Sequence, residues 1–380
     1  MRAVITFFAA FVLFLNNLNA DTGVQYFSSH PFPAKLSQWR IFIIQDGTFN
    51  LNQGVLPYDL KNPLFSDYAE KFRTVWVPET ETIDYAPTGA FRFPVKSVLS
   101  KTFSYKKEHL TQPCAENGLT YQGDAKALSG LCLVETRLLI HTENGWIGLP
   151  YVWDDDQKDA SLRLTGKSLT VSLQHPEAGG SRFTYQVPNF NQCKACHIKH
   201  IEFEKPVLPI GPKAHNLNRM MSYHQAGDRN QLAYWNEKGM LSGLPEKPWP
   251  SSEHWDDESA PLNDRARAWL DINCAHCHSP QGPASTSGLF LGLEVTDPSQ
   301  WGLCKSPVAI GNAGGGWLFD IVPGRPEESI LYFRLASEDP AIMMPEVGRS
   351  LIHRKSLNLI DAWIQSLEGV CIPPVPKAYR

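Results

Sequence analysis

Two short segments of this chain combine thiols and imidazoles in the same order. They are Cys193–His197 and Cys274–His278, hereafter the first and the second motif, and each reads Cys-x-x-Cys-His. Two thiols at positions i and i+3 can reach both vinyl groups of a porphyrin, and this is the attachment motif of c-type haem. The adjacent imidazole then lies under the ring and binds iron. The sequence therefore predicts two covalently bound haem c groups. Thioether bonds would attach them through Cys193, Cys196, Cys274 and Cys277, and His197 and His278 would bind the iron.

Zinc, a redox dithiol and a disulfide are the other chemistries open to a Cys-x-x-Cys pair. A zinc ribbon has its two pairs about 15–20 residues apart, whereas the two motifs begin 81 residues apart. A thioredoxin-like dithiol requires neither a second copy nor a following histidine. The duplication and the two histidines therefore favour haem.

Several residues after the first motif are candidates for the distal ligand of the first iron. His200 is excluded because it lies only three residues beyond His197 and cannot reach the opposite face of the same ring. The methionines Met220 and Met221 are preferred, and an open sixth position is the alternative. The remaining candidates are His215, His224 and Met240. Either histidine would give a bis-histidine haem of lower potential.

Composition indicates a folded chain and argues against nucleic-acid binding. The chain has 380 residues and a net charge of −4, with 42% hydrophobic and 11% aromatic residues. That content excludes a disordered protein. No basic block or stripe is present, so nucleic acid is not expected as a partner.

The N-terminus is typical of a secretory signal peptide. Arg2 is followed by the mostly apolar run Ala3–Leu15, and the small residue Ala20 stands at the expected cleavage site. Such a run is too short to span a bilayer, and no later stretch reaches the roughly 20 apolar residues of a membrane helix. We therefore expect residues 1–20 to be removed, and the mature protein to be periplasmic or otherwise exported, without stable membrane insertion.

Residues 21–189 have the pattern of an antiparallel β domain, and we expect it to be sandwich-like in a fold of the α+β class. Alternation of apolar and polar residues at 91–95 and 183–187 predicts half-buried strands, and Leu133–Thr142 and Leu169–Leu173 are further strand-like runs. In an oxidising compartment Cys114 and Cys132 of this domain are candidates for a disulfide.

After Pro188 the pattern changes to helices and loops, which divides the rest into a first haem segment, 190–252, and a second, 253–380. Asn263 or Asp264 can cap a helix ending near Asn273. Apolar residues from Leu357 to Leu367 recur at helical spacing. A disulfide between Cys304 and Cys371 would tie the intervening loops to this last helix.

The order of elements in the second segment resembles the class I cytochrome c fold: helix, haem motif, long loop, Met-Pro, final helix. By this resemblance Met344, which precedes Pro345, is the sixth ligand of the second iron, and Met343 is the alternative. Thioether ligation raises the potential of a histidine-bound haem. Both methionines could instead be core residues.

From about Tyr58 to Leu367 the whole chain resembles the bacterial exported dihaem c-type cytochromes that carry a β-rich N-terminal domain, a family without an established activity. The resemblance rests on four segments in order: Asn62–Asp67, Gly148–Trp153, Asn216–Asn218 and Val322–Gly324. It implies a mainly α, cytochrome c-like dihaem region and a periplasmic electron carrier, with a dehydrogenase as one candidate partner.

Electron transfer between redox partner proteins is therefore the predicted function, with no small-molecule substrate identified. The competing hypothesis is an enzyme of the dihaem peroxidase or oxygenase type, in which the second haem reduces an open first haem. In a third hypothesis the β domain binds a polymer or partner protein through aromatic residues such as Trp146, Tyr151 and Trp153. Such residues also pack in cores.

Overall fold

A computed structural model of the chain describes residues 23–45, 48–115, 120–121, 128, 130–224, 226–308 and 310–373. The predicted signal peptide, residues 1–20, lies outside these ranges. None of the helices within them combines the length and the apolar character needed to cross a membrane.

The described part of the chain is an α+β structure that begins with strands and ends with helices. Its strands are β1 (Phe42–Gln45), β2 (Thr48–Leu51), β3 (Leu56–Tyr58), β4 (Glu70–Trp76), β5 (Ile83–Asp84), β6 (Val98–Lys106), β7 (Thr120–Tyr121), β8 (Leu131–Thr142), β9 (Gly145–Trp153), β10 (Ala160–Leu162), β11 (Lys167–His175), β12 (Gly179–Val187), β13 (Met220–Tyr223), β14 (Gly227–Asn230) and β15 (Leu241–Ser242). Its α-helices are α1 (Phe190–His197), α2 (Ala214–Leu217), α3 (Gln231–Glu237), α4 (Leu262–Asn273), α5 (Ile330–Leu335) and α6 (Arg354–Ser366).

The main sheet has six strands in the order β10-β9-β8-β6-β4-β3, and every neighbouring pair is antiparallel. Burial along β8 alternates, as expected for a strand with one face against the core. Smaller sheets accompany it: β1-β2-β7, the hairpins β11-β12 and β13-β14, and the parallel pair β5-β15. The predicted antiparallel β region is therefore present, as one large sheet with smaller ones beside it.

The prediction of a strand at residues 91–95, made from the alternation of apolar and polar residues, is wrong. Phe91 and Phe93 are buried, at 3% and 6% exposure, but the segment is irregular and Arg92 forms only an isolated bridge with Asp84. Pro94 has no N–H group to donate to a strand ladder. The alternation therefore reflects burial of the two rings, without strand pairing.

The two predicted long helices are present as α4 and α6, which pack on each other in one apolar core. Ile360, Trp363 and Ile364 of α6 are fully buried, and burying each aliphatic side chain stabilises the fold by about 1.5–3 kcal/mol. Helix α4 begins at Leu262, before the predicted caps. Asn263 Oδ1 instead accepts a hydrogen bond from Trp363 Nε1 at 3.1 Å, so this side chain joins the two helices.

Both predicted disulfides are confirmed. Cys114 is bonded to Cys132 and Cys304 to Cys371. The second bond joins the loop before α5 to the chain after α6. The four remaining cysteines, those of the two motifs, are free.

The apolar core continues across the expected boundary between the β region and the first haem segment. Tyr58, Val75 and Leu99 of the main sheet share a buried cluster with Leu217 and Trp235. This packing holds the segment after α1 firmly against the sheet.

Candidate functional site

The first motif occupies the last turn and a half of α1. The side chain of Asn189 caps the helix by accepting a hydrogen bond from the backbone N–H of Gln192, and the side chain of Gln192 accepts one from the backbone N–H of Asn189. Such a capping box satisfies two N-terminal donors of a short helix. Residues i and i+3 of a helix share a face, so Cys193 and Cys196 lie on one side of α1.

His197 is held through one ring nitrogen. Its Nδ1 lies 2.7 Å from the backbone oxygen of Leu208, which fixes Nδ1 as the donor and leaves Nε2 as the nitrogen with a lone pair. Burial lowers the pKa of His197 to about 4, so the ring is neutral near pH 7. A neutral imidazole oriented by a carbonyl is the usual form of a metal-ligating histidine.

Strand β9 packs directly on the first motif at Gly148. A Cβ atom at this position would lie 3.4 Å from both Cβ and Sγ of Cys193, which is van der Waals contact. The surrounding burial raises the pKa of the Cys193 thiol. Sheet and motif therefore form one surface.

The second motif follows α4 without a break. Cys274 is the C-cap of the helix, and the backbone N–H of His278 donates to the Cys274 oxygen at 2.8 Å. Burial raises the pKa of Cys274 to about 12. Burial also lowers the pKa of His278 to about 4, so this ring too is neutral near pH 7.

The turn after the second motif requires a glycine. A Cβ atom at Gly282 would lie only 2.0 Å from the backbone oxygen of Cys277, far inside contact distance. The N–H of Gly282 donates to Ser279 and that of Ala284 to Cys277, so the turn folds back on the motif.

The two motifs are in contact with each other. The thiols of Cys196 and Cys277 lie close together, and their interaction lowers the pKa of Cys196 and raises that of Cys277. Lys199 Nζ donates to the backbone oxygen of His276 at 2.9 Å. The N–H of His200 donates to the oxygen of Gln281 at 2.7 Å. Segments 81 residues apart in sequence thus form one structural unit.

A cavity of about 550 Å³ opens beside the first motif. Its walls come from the first motif, the cavity-facing side of the main sheet, the end of α4 and the loop 343–350 between α5 and α6. Cavities of this size accommodate cofactor-sized ligands. Met343, 6% exposed, and the half-buried Met344 both contribute to the wall, whereas His278 does not.

The segment Asn62–Asp67 connects the β region to the second motif and to the loop 343–350, hereafter the methionine loop. The side chain of Asn273, the residue before Cys274, accepts a hydrogen bond from the Phe65 N–H at 2.8 Å. Asp67 Oδ1 accepts the backbone N–H groups of Ser350 and Leu351 at 2.7 and 2.8 Å.

The candidates for the distal ligand of the first iron do not lie at this cavity. His215 Nε2 is 3.0 Å from the carboxylate of Asp271, and Met240 is buried in the core beneath the sheet. Met220 is 58% exposed on β13, Met221 packs against that same core, and His224 is exposed. None of the five lines the cavity.

His353, just before α6, lines the cavity although nothing in the sequence singled it out. Its ring stacks on Phe65 at a centroid distance of 4.2 Å, and its buried Nδ1 has no hydrogen-bond partner in the described structure. Burial lowers the pKa of His353 to about 3. A lone histidine before a helix has no distinguishing spacing, so only the packing reveals it.

Comparison of the chain with models of known protein families, with curated proteins and with solved structures found no match. Within the described ranges, no group of three or more His, Cys, Asp or Glu side chains is arranged to hold a metal ion.

Proposed function

We propose that this protein is an exported dihaem c-type cytochrome that relays electrons between redox partner proteins. The observation that carries the proposal is the contact between the two Cys-x-x-Cys-His motifs, made by the Cys196 and Cys277 thiols and by the bond from Lys199 to His276. Two redox groups attached to adjoining motifs would be close neighbours, which suits an intramolecular relay.

The cysteine inventory supports covalent attachment. The four cysteines outside the motifs are paired in disulfides, and the four inside them are free. Disulfides form in the oxidising compartments to which a signal peptide would deliver the chain. Free thiols retained in such a compartment fit the role of thioether donors.

The donor atoms and the space also fit haem. His197 presents Nε2 because Leu208 occupies Nδ1, and the cavity beside it is large enough for a cofactor. When bound, haem supplies one-electron chemistry at iron, with a potential set by axial ligands, burial and hydrogen bonds. The chain's own part is to hold both imidazoles neutral and to orient that of His197.

Met344 is the proposed distal ligand of the second iron. Its loop joins α5 to α6, and both helices share one apolar core with α4, which carries the second motif. Met344 also forms part of the cavity wall beside the first motif. An experiment must therefore show which of the two irons a substitution of Met344 affects.

The test is to export the chain with haem-attachment machinery and measure its mass and haem content. We expect two haems in the wild type. The variant Cys193→Ala/Cys196→Ala should lose the first and Cys274→Ala/Cys277→Ala the second, each keeping the other. Wild-type protein that carries no covalent haem, or motif variants that still carry two, would contradict the proposal.

Carbon monoxide separates a relay from a dihaem enzyme. If both irons have two protein ligands, the reduced wild-type protein should not bind carbon monoxide at either. Binding at one haem would reveal an open position, and the peroxidase-type hypothesis would then be favoured over the relay.

A further inference from the structure

Three cationic side chains stand side by side on the cavity-facing side of the main sheet. Arg73 on β4 is directly opposite Lys101 on β6, and Lys101 is directly opposite Arg137 on β8. Residues paired in this way share one face of a sheet, with Cβ atoms about 5 Å apart. All three line the cavity beside the first motif. We call them the cation row.

Within the described ranges, only the two outer members of the row have carboxylate partners. Arg73 Nη1 lies 2.7 Å from Asp59, which also pairs with Arg219. Arg137 makes two bonds to Glu135, at 2.6 and 2.9 Å. Among the described residues Lys101 has no ion pair or side-chain hydrogen bond; its ammonium lies 5.0 Å from the centroid of the Phe103 ring.

The central lysine is therefore an enclosed charge, and Glu135, the carboxylate whose charge acts on it favourably, is already bonded to Arg137. Burial, and next the repulsion from Arg137 and Arg73, lower the pKa of Lys101 to about 7. Like charges directly opposite each other destabilise a sheet. An anion that entered the cavity would offset this cost by pairing with Lys101 through a charge-assisted hydrogen bond.

The row faces the first motif, so an anion bound by the row would lie beside this motif. Cys193, Cys196 and His197 of this motif line the same cavity as the row. The charge of Lys101 acts on the pKa of His197, and the charges of Lys101 and Arg137 both act on that of Cys193. A haem attached at this motif would bring two carboxylates, its propionates, into the cavity.

We propose that the cation row is a carboxylate-binding site centred on Lys101, and that it holds a propionate of the first haem. The inference rests on the proposed function, since it needs a haem at the first motif. It gives the β region a direct part in the redox site, because three of its strands would set the charge around one haem and not the other.

The test compares Lys101→Met with Lys101→Arg in the attached, two-haem protein. In Lys101→Met, the propionate bending band of the resonance Raman spectrum should shift, and one of the two one-electron midpoint potentials should fall. The potential falls because an unpaired carboxylate near the iron stabilises the ferric form. Lys101→Arg should retain the wild-type band and potential, since it keeps the cation.

Lys167→Met is the matched control, because Lys167 is an exposed residue of β11 and does not line the cavity. It removes the same charge and should leave the propionate band and both potentials unchanged. Added acetate tests whether a free carboxylate, and not a haem propionate, occupies the site. A saturable change in the wild-type absorption spectrum that is lost in Lys101→Met would keep the site but overturn a propionate as its occupant.

The inference is overturned if folded, two-haem Lys101→Met has the wild-type propionate band. Failure of the proposed function would look different, because the wild type itself would then lack covalent haem. Circular dichroism of Lys101→Met confirms folding, and Lys101→Arg supplies an independent comparison if the methionine variant is poorly produced.

Discussion

Arg349 holds the backbone of Met344. Its Nε donates to the Met344 oxygen at 2.9 Å, and its Nη2 donates to the Ser337 oxygen at 2.9 Å. Arg349 is 7% exposed and Asp67 holds the next two residues, so the methionine loop is fixed from both the α and the β regions. A buried guanidinium that binds several carbonyls leaves such a loop little freedom.

Replacing Met344 tests the proposed distal ligand. We expect Met344→Ala to keep two attached haems and to lower the potential of one iron, by about a tenth or more of the roughly 0.8 V range that axial ligands cover. The measurement is a spectroelectrochemical titration, combined with a motif variant that lacks one haem so that the affected iron is identified. Met343→Leu is the control, and an unchanged potential in Met344→Ala would show that this methionine is not a ligand.

Asp67 is expected to make stability depend on pH. Burial raises its pKa to about 6, above the value of about 3.9 for an exposed aspartate. The folded state therefore holds a proton that the unfolded state has lost, and the free energy of unfolding should fall by about 3 kcal/mol as pH rises from about 4 to above 6. Urea unfolding of wild type and Asp67→Asn over this pH range measures the difference.

The asparagine variant stays neutral and keeps Oδ1 as an acceptor, so it should lose this pH-dependent contribution. Asp67→Ala serves as its comparison, since it removes the acceptor for Ser350 and Leu351 and should cost about 1–3 kcal/mol. Equal pH slopes in wild type and Asp67→Asn would contradict the assignment to Asp67.

Gly282→Ala should damage the second motif selectively. The new Cβ would lie 2.0 Å from the Cys277 oxygen, so the backbone of the motif must move. We expect haem content to drop from two toward one per chain, with the second motif unoccupied, as measured by mass spectrometry of peptides. Gly148→Ala is the control, because its Cβ would stand 3.4 Å from Cys193, and full occupancy in Gly282→Ala would argue against the tight turn.

Removing the Cys304–Cys371 bond should destabilise the second haem segment. The bond closes a loop with a sequence separation of 67 residues, and loss of such a bond costs about 2–4 kcal/mol. Denaturant unfolding of Cys304→Ser/Cys371→Ser measures the change. The double variant of Cys114 and Cys132, with a separation of 18, should lose about 1 kcal/mol less. Equal or reversed losses would show that loop length does not set the effect.

Helices with a strong apolar period were predictable, whereas irregular buried segments were not. The spacing in α6 required one face to be buried, and Trp363 and Ile360 are buried there. Phe91 and Phe93 have the alternation of a strand, yet the chain is irregular around Pro94. Alternation reports burial of side chains, while strand pairing depends on a partner that the local sequence does not specify.

The distal surroundings of the first motif could not be predicted for the same reason. Met220 and Met221 follow the first motif in sequence and are the preferred candidates for the distal ligand of the first iron. In the structure, Met220 is exposed and neither methionine lines the cavity. His353 lines it from a position 156 residues after His197. Proximity along the chain is a poor guide once the chain has folded back through several packed elements.

The sequence by itself determined the donor set of each motif and the pairing chemistry of the other cysteines. Two thiols and an imidazole within five residues are brought together by a single turn, which covalent geometry and local hydrogen bonds suffice to form. Only the tertiary structure decided that the two motifs touch, that Asp67 holds the methionine loop, and that Lys101 stands between two arginines. These relationships depend on strand register and on the packing of distant segments, where burial of apolar surface selects the neighbours.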